Sequence, residues 1–140
     1  MDAGEFRPLG EHSVRFEGDL IFLRVKGAVK LGDMVEFMRL QAQVRREHGS
    51  VFMLYDSREN TALDPAARKY ATDHTTEESR VDAAASFGAP FGMRVLVNML
   101  NRAHEMLRKE GARVQLFETE AQARQYLQDE RRRLRPSVAA

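Results

Sequence analysis

The spacing of apolar and polar residues changes period several times along the chain. Two β-patterned runs come first, Val14–Glu17 and Leu20–Lys26. The Gly18-Asp19 pair between them is a two-residue loop that forces the strands antiparallel. MVEFMRLQAQVRREH then takes up a helical spacing that runs to Gly49, with Asp33 and Glu36 forming a capping-box-like start. VFMLYD, Val51–Asp56, is almost continuously apolar, as an interior parallel strand is. SRENTAL reads as a polar loop ending at Asp64-Pro65, a cap followed by proline at the first helical position. The helix from there to about Glu78 has Tyr70 as its main large apolar residue and is expected to lie exposed.

DAAASF, Asp82–Phe87, is a strand of small side chains that lets a helix approach closely. A long helix follows GAP and ends near Lys109 and Gly111. ARVQLF, Ala112–Phe117, is the last strand, and Thr119 with Gln122 opens a final helix through Arg131. The order ββαβαβαβα predicts an α/β fold, a mostly parallel sheet with right-handed crossovers and flanking helices, entered through an antiparallel N-terminal hairpin. Residues 1–11 read as a flexible leader, 12–134 as one domain and 135–140 as a frayed tail.

Two of the helices are apolar on more than one side. At about 100° per residue, Met34, Val35, Met38 and Ala42 share one face of the first helix. Phe37, Leu40 and Val44 form a second stripe almost opposite. In the helix after Gly92, Met93, Leu96, Val97, Leu100 and Leu107 make a core face with His104 beside them. Val95, Met99 and Met106, with Arg102 among them, make another. One face is enough to cover a sheet. The surplus stripes are therefore expected to meet a neighbouring helix, a second copy of the chain or another partner. Methionine, phenylalanine and arginine suit such contacts.

Composition narrows the classes. A net charge of +1 gives no bulk electrostatic drive towards nucleic acid. With no cysteine, disulfides, thiolate metal sites and thiol nucleophiles are excluded. The first residues lack the basic and apolar regions of a signal peptide, and no apolar run approaches a membrane span, so a cytoplasmic protein without stable membrane insertion is expected.

Candidate chemistry is sparse. SFGAPFGMR lies between a strand and a helix, where Gly88, Gly92 and Arg94 form a candidate anion or ligand loop. It matches neither GxxxxGK[ST] nor GxGxxG, and a tight turn accounts for its glycines. Asp56, at the end of a central parallel strand, is the best placed carboxylate. With Ser57, Thr61 and Asp64 it makes up a candidate regulatory loop, in which a phosphorylated hydroxyl would add charge. The four histidines, His12, His48, His74 and His104, show no metal-ligand spacing. The basic run RRRLR reads as a solvated helix end. No metal, cofactor or catalytic set is expected.

The element order, with ASFGAPFGMRVLVNML and LFETEAQARQYL, resembles the STAS domain of bacterial anti-sigma-factor antagonists, and more closely the SpoIIAA-like group, also described as STAS/SEC14-like. The resemblance spans roughly Ser13 to Leu134, with Tyr126 where many relatives have tryptophan. It implies a non-catalytic regulatory module working through protein–protein contacts, either with itself as a homodimer or with a regulatory protein. Its SEC14-like side implies the alternative of a small-molecule or lipid-binding domain, with an apolar ligand near Gly88–Gly92. Regulatory members carry a phosphorylatable serine after an Asp at a helix start. Asp64 resembles that Asp, but Pro65 and Ala66 follow it, so the family's phosphoacceptor is missing.

Overall fold

The structure is a computed structural model that describes residues 4–76, 79–107 and 113–134. The side chains of His104 and Leu107, assigned above to a core face, and the tail 135–140 lie outside the described residues. Among the described residues ten elements follow one another: β1 (Arg7–Leu9), β2 (His12–Glu17), β3 (Leu20–Val29), α1 (Leu31–His48), β4 (Phe52–Leu63), α2 (Pro65–His74), β5 (Ala83–Phe87), α3 (Phe91–Leu107), β6 (Val114–Phe117) and α4 (Glu120–Leu134). They build a six-stranded sheet in the order β1-β2-β3-β4-β5-β6. The first three strands are antiparallel and the rest parallel.

The strands from β3 to β6 step in one direction across the sheet. Right-handed crossovers therefore place α1, α2 and α3 on one face, and α4, after the last strand, returns on the other. The side chains of β4 alternate accordingly. Met53 joins Ile21, Leu23, Phe37, Leu40 and Val44 under α1, whereas Phe52 and Leu54 join Phe22, Ala85, Ala123 and Leu127 under α4. The all-buried Ala83–Phe87 strand is the expected consequence of burying both faces with small residues.

Four expectations change. The segment read as a flexible leader carries β1, because a Gly10 turn with φ of 62° folds Arg7–Leu9 back onto His12–Val14. SRENTAL is not a loop: β4 continues to Leu63, paired with β3 through two register shifts. Alternation is lost at those irregularities, which is why the run looks polar and aperiodic. Helix α1 begins at Leu31, so Asp33 is not its cap. Instead its carboxylate accepts the Lys30 N–H at 2.9 Å from inside the first turn. Lastly, Arg131 of the basic run is no solvated end. It forks onto the Asp19 carboxylate at 2.6 and 2.7 Å and lies 4.3 Å from the Phe52 ring centre.

Candidate functional site

The stripe Phe37, Leu40 and Val44 is core: all three are buried against the sheet. A surplus on α1 remains only at Leu31 and Val35 near its start. Helix α3 behaves differently. Met93 is buried and Leu96, Val97 and Leu100 are half-buried, but Val95, Met99 and Met106 are 43%, 60% and 84% exposed. Arg102 is exposed among them, and Phe91, at 72%, extends the patch to the helix start.

This patch borders the open edge of the sheet. A groove of about 1270 Å³ runs between α3 and α4 over β6, lined by Phe91 and Val95 on one side, Leu116 beneath, and Gln125 and Tyr126 on the other. Side-chain amides guard the strand edge. Asn101 Nδ2 donates to the Val114 carbonyl at 2.9 Å, and Asn101 Oδ1 accepts the Val114 N–H at 3.3 Å. Gln122 Oε1 accepts the Glu118 N–H at 3.1 Å. In a parallel ladder, residues two apart present their N–H and C=O to the same side. Leu116, between the two clips, therefore turns its backbone pair outward into the groove.

Of the residues expected to form a regulatory loop, Asp56, Ser57 and Thr61 lie on β4 and Asp64 follows it at the start of α2. Asp56 is buried, gripped by Arg58 at 2.8 and 3.0 Å and approached by Arg24 at 3.8 Å. Burial pushes its carboxyl up, but the Arg58 hydrogen bonds and the two guanidinium charges together hold it below the usual carboxylate value. Ser57 is buried and hydrogen-bonded to Ser86 at 2.7 Å, so its hydroxyl is closed to modification in this fold. Thr61 is exposed. Asp64 precedes α2 without a side-chain capping bond.

Gly88, Gly92 and Arg94 have different surroundings. Gly88 has φ of 72°, and a Cβ there would collide with Arg58 Cγ, so conformation and packing both demand glycine. Gly92 faces open space, and Arg94 is exposed with its guanidinium 5.6 Å from the Phe91 ring centre.

One buried polar unit carries no motif in the sequence. His12 is 2% exposed, and its Nδ1 accepts the Lys26 N–H at 2.9 Å. The ring proton is therefore on Nε2, which donates to Asp33 at 3.1 Å. An alternating strand position at His12 is the only sequence signal that could have pointed inward. With both nitrogens engaged, this pair ties β2 to β3 and α1.

The arrangement is an α/β sheet of the STAS type, with a hairpin start and helices on both faces. The SpoIIAA-like family profile matches residues 20–128, and the chain belongs to that family. An uncharacterized protein from Shewanella loihica PV-4, of the DUF3478 family with a SpoIIAA-like fold, is similar in fold at 17% identity, with a TM-score of 0.53 over 83% of this chain and 91% of that one. The anti-sigma factor antagonist SpoIIAA in its unphosphorylated form matches at 8% identity with a TM-score of 0.46, over 76% of this chain and 100% of the other. No curated protein matches.

Proposed function

We propose that this chain is a non-catalytic bacterial regulatory module that docks onto a protein partner through the outer face of α3 and the adjoining β6 groove. One observation carries the reading: Phe91, Val95, Met99 and Met106 lie exposed in a row beside an open sheet edge. Such a patch is disfavoured in water unless something covers it. The non-catalytic part rests on how the polar groups are used. Asp56 is held by arginines and His12 by a backbone N–H and Asp33, which leaves neither poised as a general base. At the start of α2, Pro65 and Ala66 offer no hydroxyl, so the contact is independent of phosphorylation there.

A second copy of the chain is the favoured partner. The open Leu116 rung is self-complementary: an antiparallel copy related by a two-fold axis would exchange both backbone bonds at Leu116 and bring two α3 faces together. Light scattering of the purified protein across a concentration series tests this. A dimer that Met99→Glu converts to a monomer of unchanged melting temperature is the expected result. A native chain that stays monomeric at every concentration removes the homodimer. Cross-linking from an α3 surface position would then decide whether a different regulatory protein occupies the face, and no cross-linked protein would overturn the docking reading.

A further inference from the structure

We propose that Met99 and Met106 of α3 form a reversible oxidation site, at which a hydroperoxide converts the two thioethers to sulfoxides and so separates the chain from a second copy. Regulation of this kind rests on the outer face of α3 being the docking surface. Phe91, Val95, Met99, Arg102 and Met106 follow one another at intervals of three or four residues, so they form one stripe along the helix. Met99 stands in the middle of that stripe and Met106 at its far end, and both are exposed.

Accessibility singles out these two sulfurs. Among the described residues Met38, Met53 and Met93 are buried and Met34 is half-buried; Met1 lies outside the described residues. The chain has no cysteine, so no thiol of its own competes for the oxidant. The step transfers one oxygen atom. A sulfur lone pair attacks one oxygen of the hydroperoxide, the S–O bond forms as the O–O bond breaks, and the other oxygen leaves as water when the oxidant is hydrogen peroxide. Sulfur gives up two electrons and the peroxide takes them. A methionine sulfoxide reductase, supplied with a dithiol, restores the thioether.

The consequence follows from what surrounds the new oxygen. A sulfoxide is a strong hydrogen-bond acceptor. On a separate chain water meets it, and Arg102 offers a guanidinium one helical turn from either methionine. Against the stripe of a second copy it loses that water beside Phe91 and Val95, which carry no side-chain donor. The thioether, by contrast, is apolar and flexible enough to fit the facing surface. Neither side chain belongs to the packed clusters on the two faces of the sheet, so the change acts on association and leaves the fold in place.

The test treats the full chain with hydrogen peroxide at a protein concentration low enough to leave the α3 face open. Peptide mass mapping then locates the sulfoxides, and light scattering reads the dimer across a concentration series. Met99 and Met106 are expected to oxidise roughly tenfold faster than Met38, Met53 and Met93. The dimer dissociation constant should rise about tenfold or more, with the circular dichroism spectrum unchanged, and reductase treatment should restore the original value. Equal rates at the buried methionines would overturn the site, and loss of the folded spectrum would make the oxidation a lesion instead of a switch. A dimer that survives full conversion of Met99 and Met106 would overturn the regulation alone. An untreated chain that never dimerises would instead remove the second copy as partner, and this regulation with it.

Discussion

Helix α1 lies over the middle of the sheet and helix α3 over its rim, and similar apolar patterns are put to different use in the two places. Under α1 lie β2, β3 and β4, and α2 packs along its flank, so a girth wider than one stripe is covered within the fold. Beneath α3 the sheet ends at β6, a strand of four residues with no neighbour beyond it among the described residues. The outer half of α3 therefore has no protein to meet. A second apolar stripe does not by itself mark an interface; its distance from the edge of the sheet decides.

Substitutions can break or sharpen this contrast. The largest effect is expected at Phe37→Ala, which empties a buried aromatic site under α1 and should cost about 3–5 kcal/mol in denaturant unfolding. Met93→Ala removes the buried anchor of α3, where packing is thinner, and should cost roughly 2 kcal/mol. A cost there equal to that of Phe37 would mean that α3 is as deeply fixed as α1. Gly88→Ala should lose about 1–2 kcal/mol through the left-handed backbone and the Arg58 contact, while Gly92→Ala, on the open helix start, should be close to neutral. The smallest change in stability, within about 0.5 kcal/mol, is expected for Met99→Glu. A large loss at Met99 would place it in a core and end the contrast.

The opposite face of the sheet supplies a pH test. A hydrogen bond from Arg124, against the opposing effect of burial, leads the interactions that hold the Glu17 carboxyl below its usual value. A carboxylate lowered on folding contributes stability that is complete above the ordinary glutamate range and is lost as pH falls towards the lowered value. Acid unfolding should therefore be less steep in Glu17→Gln than in the native chain. An unchanged acid limb would show that this cross-link between β2 and α4 contributes nothing measurable.

Much of this architecture could be read from local pattern. Gly18-Asp19 announced the β2–β3 hairpin, Asp64-Pro65 the start of α2, and Thr119 with Gln122 the start of α4, where the Thr119 hydroxyl accepts the Gln122 N–H at 3.2 Å. Such signals act over three or four residues and survive in a bare sequence. What escaped depends on partners far along the chain. The overhang of β4 is polar because half of it has one neighbour, and nothing in SRENTAL states that β5 will stop short. Asp19 and Arg131 are separated by 112 positions, so a run of arginines could not reveal that one of them turns inward. The α3 patch was legible as a surplus. Which of the two surplus stripes would stay bare was not, because that depends on strand order.

The amide clips of Asn101 and Gln122 have a bearing on solubility at high protein concentration. A bare edge strand is a template on which further chains can pair without limit, and sheets commonly blunt such edges with charge, proline or cover. Here Asn101 occupies the rung at Val114 and Gln122 caps the N–H of Glu118, so only Leu116 stays open and the strand cannot seed a growing ribbon. Replacing Asn101 with leucine would extend the open template and add apolar surface beside it. The substituted chain should turn turbid on storage at concentrations where the native chain stays clear, well before its folded structure is measurably weakened.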